Sequence, residues 1–292
     1  MNAEALLARC RFPARGTPVV CGVSGGADSL ALLVLACAAA LEVTAVHIDH
    51  GLRQGSGAEA DMVAHVANQL GAGFRGERVQ LSAGPNQEAR ARAARRAALG
   101  RGALTGHTAD DQAETVVLNL VRGAGLDGLR GIRDDATKPI LRLRRTETHA
   151  LCAERGLAPL EDPSNADPSF RRNRIRHEVL PLLDDVAARD VVAVVARQAA
   201  LLADDAVLLD SLAAAIDPSD ARVLGAAPLA LARRAVRAWL RTGDERHPPD
   251  AATVERVLAV ARGDVVACEV GGGRRVGRSR GRLTITAATV RP

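Results

Sequence analysis

Ser24-Gly25-Gly26-Ala27-Asp28-Ser29 breaks an otherwise regular stretch of this chain. Two hydroxyls, two adjacent glycines and one carboxylate fall together there. These residue types suit a phosphate, because glycines let backbone N–H groups approach an anion with no Cβ in the way. Residues 18–23 before them form a short apolar run of the kind that makes a buried parallel strand. After them Leu30, Leu33, Val34 and Cys37 recur at helical spacing. Strand, glycine turn and helix aim backbone donors and the positive end of a helix dipole at one point. No lysine follows the glycines, so this loop is not the G-x-x-x-x-G-K-[ST] phosphate loop, and it is not G-x-G-x-x-G either. The bland alternative is a glycine-rich turn with no ligand.

A second cluster is His107-Thr108-Ala109-Asp110-Asp111-Gln112-Ala113-Glu114, which opens a helix after the short strand 103–106. Thr108 and Asp111 have the spacing of an N-cap pair, and acids in a first helical turn suit the dipole. Capping needs one acid. Asp110, Asp111 and Glu114 together exceed that need, and Asp110 and Glu114 share a helix face. Such a group can hold Mg²⁺ or a cationic amine. Two basic stretches complete the set. Arg92 and Arg96 lie four apart on the helical run 86–99, which also reads as a solvated face with Glu88. Arg172, Arg174 and Arg176 follow the loop 161–170, and they read either as a solvated helix end or as a nucleic-acid contact.

The elements that must position these residues alternate. Residues 43–48 form a second strand, ending in His47-Ile48-Asp49-His50, and 74–81 a third. Residues 59–70 form an amphipathic helix between them. Strands alternating with helices predict a doubly wound, mostly parallel α/β sheet, with polar strand ends beside the site. Beyond residue 185 the pattern changes to helices, with a long one at 186–216 and others at 228–241 and 251–261. The tail 265–286 alternates Val, Ile and Thr among glycines and arginines and reads as a short hairpin. Two domains follow, 1–185 and 186–292.

Composition narrows the function classes. The formal charge of +5 suits a polyanionic partner, and arginine carries nearly all of it, since Lys138 is the only lysine. Three Phe, one Trp and no Tyr leave little aromatic surface for base stacking. Five scattered cysteines form no CxxC pair, so neither a zinc ribbon nor a disulfide framework is expected. With no long uncharged apolar run, the expected location is the cytoplasm.

S-G-G-A-D-S resembles the S-G-G-x-D-S loop of the N-type ATP pyrophosphatases (the PP-loop superfamily, with an adenine nucleotide alpha hydrolase-like fold). The block GHTADDQAETVVLNLVRGAGLDGLRGI closely resembles the central block of tRNA(Ile)-lysidine synthetases. So do the E-A-R-A-R-x-A-R helix and the run Glu161-Asp162-Pro163-Ser164-Asn165 with its sequel Arg172-Asn173-Arg174-Ile175-Arg176. The resemblance covers about residues 17–185, in the family's order, and beyond them it is to a short form with a helical second domain. Arg96 stands where the family usually has Tyr.

The resemblance implies ATP-dependent ligation of free L-lysine to C2 of the wobble cytidine, position 34, of a CAU-anticodon tRNA(Ile). The product is lysidine, formed through an adenylated cytidine, with release of AMP and pyrophosphate. It implies ATP held by Ser24, Gly25, Gly26, Ala27, Asp28 and Ser29, with His47 and Asp49 in the segment whose backbone holds adenine. Asp28 would carry Mg²⁺. Asp110, Asp111 and Glu114 would bind the lysine, Arg92 would steady the α-phosphate, and Asp28, Arg92, Asp111 and Glu114 make the catalytic set. Arg172, Arg174, Arg176 and Arg278 would meet tRNA, and a homodimer is implied. The alternatives are another PP-loop enzyme, tRNA-modifying or amide-forming, and a non-catalytic tRNA-binding paralogue.

Overall fold

The computed structural model describes residues 3–49, 56–79, 90, 94, 97–241 and 249–287. Two compact units divide the chain, residues 1–202 and 203–292, and the division falls inside the helix Val191–Ala214.

The first unit is built on four parallel strands in the order β3-β2-β1-β4. They are β1 (Pro18–Gly22), β2 (Glu42–Asp49), β3 (Gly73–Arg78) and β4 (Leu104–Thr105). The parallel α/β sheet expected from the sequence is present. From β1 the chain winds outward through β2 to β3, then returns to place β4 on the other side of β1. That reversal makes the carboxyl ends of β1 and β4 a topological switch point, where open α/β sheets bind ligands. Gly22 pairs with Thr105, so the phosphate loop and the acidic turn leave the sheet side by side.

The helix Ala27–Ala38 follows the loop. Its residues Leu30, Leu32, Leu33 and Leu35 are buried all round, as expected of a helix inside a core rather than on its surface. Each fully buried Leu contributes roughly 1.5–3 kcal/mol relative to exposure. The core clusters this helix with β1, β2 and the helix Arg145–Glu154. Packing therefore fixes the loop's carboxyl side and brings Arg145–Glu154 to it.

The second unit has helices Ala221–Ala226, Leu229–Leu240 and Ala251–Arg262 and an antiparallel sheet β5-β6-β7. These strands are β5 (Ala267–Gly271), β6 (Arg274–Ser279) and β7 (Arg282–Ala287). The expected hairpin is thus a three-stranded meander. The Gly271-Gly272-Gly273 turn, all at positive φ, closes the first hairpin, and Gly281 helps close the second. A second correction concerns the long helix at 186–216. The chain turns at Ala188, which is left-handed at φ 49°, and the helix starts only at Val191. The Val191 N–H there donates to the Asp184 carboxylate at 2.7 Å. An Ala/Val-rich run carries no composition signal for such a break.

Candidate functional site

The loop 24–29 is organised by its own hydroxyls. Ser29 Oγ donates to the Gly26 carbonyl at 2.8 Å and accepts from the Ser24 N–H at 3.2 Å. Ser24 Oγ lies 3.3 Å from Ser29 Oγ. Within the described chain the N–H groups of Gly25, Gly26, Ala27 and Asp28 meet no acceptor. They sit at the start of the twelve-residue helix Ala27–Ala38, where the dipole favours an anion. Gly25 has φ +91°, and a Cβ there would stand 2.6 Å from Leu160 Cδ1. The Leu160 N–H donates to the Gly25 carbonyl at 2.9 Å. The segment leading into 161–165 therefore rests on the phosphate loop, and Asn173 in the basic run clamps it through Ser164 and Asp167 carbonyls at 2.7 and 2.9 Å.

Beside the loop, Thr108 and Asp111 form the expected helix start. The Thr108 N–H and hydroxyl both donate to Asp111 Oδ2, at 2.8 and 3.1 Å. Gln112 is buried and holds the following loop, its amide donating to the Ile132 carbonyl at 3.1 Å. Part of the long motif is therefore scaffolding.

The acids of the two motifs are joined by Arg145, at the first position of the helix Arg145–Glu154. Its guanidinium reaches Asp28 Oδ2 at 3.4 Å, Glu114 Oε1 at 3.0 Å and Asp111 Oδ1 at 3.2 Å. The Thr148 hydroxyl, one turn on, donates to Asp28 Oδ1. Arg144 grips Asp110 through Nε at 3.1 Å and also pairs with Asp190. Arg144, Arg145 and Thr148 were not singled out in the sequence. A signal existed: cations at a helix N-terminus oppose the dipole, so Arg-Arg at a helix start implies carboxylates from elsewhere.

Arg172 and Arg176 belong to the same cluster. Arg172 Nε donates to Glu114 Oε2 at 2.6 Å and its other end to Asp111 Oδ1 at 2.9 Å. Arg176 Nε donates to Glu114 Oε1 at 2.7 Å, from a π-helical turn spanning Ile175–Val179. Such turns recur at functional sites. Glu114, though 0% exposed, is thus met by three guanidiniums. Burial raises its pKa, but the Arg176 hydrogen bond and the Arg145 charge outweigh that and hold it at about 2. Asp28 shifts the other way. Burial pushes it up, against the Thr148 hydrogen bond and the Arg145 charge.

The remaining expected residues make other contacts. His47 is 3% exposed, and its Nδ1 lies 3.0 Å from the Val23 carbonyl. A carbonyl only accepts, so that nitrogen carries the proton, and Nε2 is buried with no partner among the described residues. Asp49 ends β2 and pairs with Arg78 at 3.7 Å. Arg174 points away from the acids, to Glu178 at 2.8 Å. Arg278 donates to the Ala261 carbonyl at 2.9 Å, at the end of the helix Ala251–Arg262. Arg92 and Arg96 lie outside the described residues.

A phosphate loop at the switch point of a parallel sheet, walled by acids, is the arrangement of the PP-loop domains, and residues 2–183 match the family model described as a PP-loop domain. Residues 220–284 match a second model, the TilS substrate binding domain. A U34-tRNA thiolase of Methanococcus maripaludis shares the fold at TM-score 0.54 and 16% identity, over 68% of this chain and 78% of that one. The chain belongs to the tRNA(Ile)-lysidine synthase family. It is 43% identical to the tRNA(Ile)-lysidine synthase of Nocardia farcinica, over 94% of this chain and 93% of that one. The Rhodococcus jostii protein of the same name is 39% identical over 91% and 89%. That of Mycobacterium tuberculosis is 42% identical over 76% and 74%.

Proposed function

We propose that this chain is the ligase that joins free L-lysine to C2 of the wobble cytidine, position 34, in CAU-anticodon tRNA(Ile), with ATP as the activating substrate. The observation that carries this reading, beside family membership, is the single guanidinium of Arg145 on acids of both motifs. An adenylating site and an amine site then share one wall.

Neutral cytosine O2 is a poor leaving group, so it is first made a phosphate ester. O2 attacks the α-phosphorus of ATP, the bond to the β-phosphate oxygen breaks, and pyrophosphate leaves. The unpaired N–H groups of residues 25–28 and the Ser24 hydroxyl face the charge that accumulates on it. Asp28 fits Mg²⁺, an ion that takes one or two carboxylates plus phosphate oxygens, because Thr148 and Arg145 leave acceptor positions open on it. Bound there, Mg²⁺ would neutralise charge on the triphosphate. Arg92 is assigned to the α-phosphate, and the end of β2, at His47 and Asp49, to the adenosine.

In the second step the ε-amine of lysine attacks C2, the C2–O2 bond breaks and AMP leaves. The ammonium must first lose a proton to a carboxylate. Glu114, held at about 2, is a poor acceptor in the arrangement described. Proton transfer is assigned to Asp110 or Asp111, with Glu114 as a charge partner. Arg174 is assigned to tRNA phosphate, as are Arg172 and Arg176 once they leave the acids. The reaction belongs in the cytoplasm, where tRNA, lysine and ATP meet. Among the described residues no helix is long and apolar enough to cross a membrane.

The test is the cofactor requirement. AMP and pyrophosphate should form in quantity only with ATP, lysine and CAU tRNA(Ile) together, and Asp28→Ala should abolish both. Full activity of Asp28→Ala would sink the loop assignment.

A further inference from the structure

An ionised carboxylate offers about four lone-pair positions. Glu114 has all of them taken. Oε1 accepts from Arg145 at 3.0 Å and Arg176 at 2.7 Å, and Oε2 from Arg172 at 2.6 Å and Arg176 at 3.2 Å. Asp111 is filled in the same way, with Thr108 twice on Oδ2 and Arg145 and Arg172 on Oδ1. An ammonium brings only donors, so in this arrangement neither acid can receive one. The charges are also largely matched: Asp28, Asp110, Asp111 and Glu114, with the half-exposed Asp190, face Arg144, Arg145, Arg172 and Arg176. A lysine arriving here meets acids whose acceptor positions and charge are taken up by arginines.

One side chain lies on both filled acids from outside. Arg172 bridges Glu114 Oε2 and Asp111 Oδ1, and its side chain is 31% exposed, against 21% for Arg145 and 22% for Arg176. Its departure would open one acceptor on each acid, and the gap would have the charge and bridging geometry of an ammonium. Arg172 comes from the helical turn Arg171–Arg174, which runs straight into the π turn, and Arg174 in the same turn is exposed. A phosphate is the ligand that competes for a guanidinium against carboxylates, because it offers the same bidentate acceptor geometry.

We infer that Arg172 is an exchangeable counterion: it fills the lysine site while the protein is empty and moves to a phosphate of ATP or tRNA when that ligand arrives, uncovering Glu114 and Asp111 for the lysine ammonium. The inference rests on the lysine-ligase reading above and adds an order to it. Lysine binds well only after a polyanion, which keeps the amine out of a site with no activated cytidine.

Equilibrium dialysis with labelled lysine tests it. Wild-type protein alone should bind lysine at least about tenfold more weakly than with α,β-methylene ATP or CAU tRNA(Ile) present, the order expected from opening charge-assisted acceptors. Arg172→Gln alone should bind lysine about as tightly as the liganded wild type. Arg75→Gln, on the edge strand β3 and paired with Glu77 at 2.9 Å, should behave as wild type in the same assay. Equal lysine affinity with and without polyanion, or no gain in Arg172→Gln, overturns the exchange. If wild type still transfers lysine to the tRNA in that case, the enzymatic reading stands and only the exchange fails. If no lysine is transferred, both fall.

Discussion

Gly106 lies against Asp28 so closely that a Cβ on it would stand 2.6 Å from the Asp28 carbonyl oxygen. The strand end that launches the acidic turn is therefore packed backbone to backbone on the helix that carries the phosphate loop. Gly106→Ala must push the two motifs apart. The expected cost is about 1–3 kcal/mol of stability, with a larger loss of AMP formation because the two sites lose their register. Gly225 is the control. It sits in the helix Ala221–Ala226 with nothing within 4 Å of an added Cβ. Alanine there should stabilise by roughly 0.5–1 kcal/mol. Urea unfolding and an AMP assay on both variants decide this. Wild-type behaviour of Gly106→Ala contradicts the packing.

Glu114 makes a pH prediction. Its folded pKa, about 2, lies below the ordinary 4.5. A carboxyl depressed in this way contributes stability that is present above its unfolded value and lost as pH falls towards the folded one. The size is about 3 kcal/mol. Asp28 is raised, so its contribution opposes folding at neutral pH and is relieved on acidification. That effect is common to wild type and to Glu114→Gln and cancels in the comparison. Between about pH 5 and pH 2.5, wild type should lose about 2 kcal/mol more than Glu114→Gln. Parallel stability curves for the two proteins would show that the three arginines do not hold Glu114 ionised.

Salt dependence separates two arginines that look alike in sequence. Arg174 makes an exposed pair with Glu178, which a phosphate can replace easily. Arg278 caps the carbonyl end of the helix Ala251–Arg262, where a cation suits the dipole. Arg174→Gln should weaken tRNA binding and reduce the log–log salt slope by about 1, leaving urea unfolding unchanged. Arg278→Gln should cost about 1 kcal/mol of stability. Filter binding at several salt concentrations reads the first effect and urea unfolding the second. A stability loss confined to Arg174→Gln reverses the assignment.

What could be read in the chain follows from range. The strand, loop and helix at 18–38 are local, and so is the Thr108–Asp111 cap, and both stand where spacing put them. The positions of Arg145 and Arg172 are not local. Their partners lie 117 residues away for Arg145 with Asp28 and 58 for Arg172 with Glu114, and no spacing rule connects them. Arg172, Arg176 and Arg278 were legible as cations, but their partners in the fold were not, because free and paired arginines look the same in a sequence. The third strand of the tail was hidden for another reason. Gly277 and the arginines of β6 blur the alternation that marks a strand.

The most direct measurement is transfer of labelled lysine to CAU-anticodon tRNA(Ile), with tRNA(Met) of the same anticodon as the control. The proposed ligase should place one lysine on the wobble cytidine of the isoleucine tRNA in an ATP-dependent reaction and leave the methionine tRNA unlabelled. Label on neither tRNA, with ATP and lysine in excess, would contradict it.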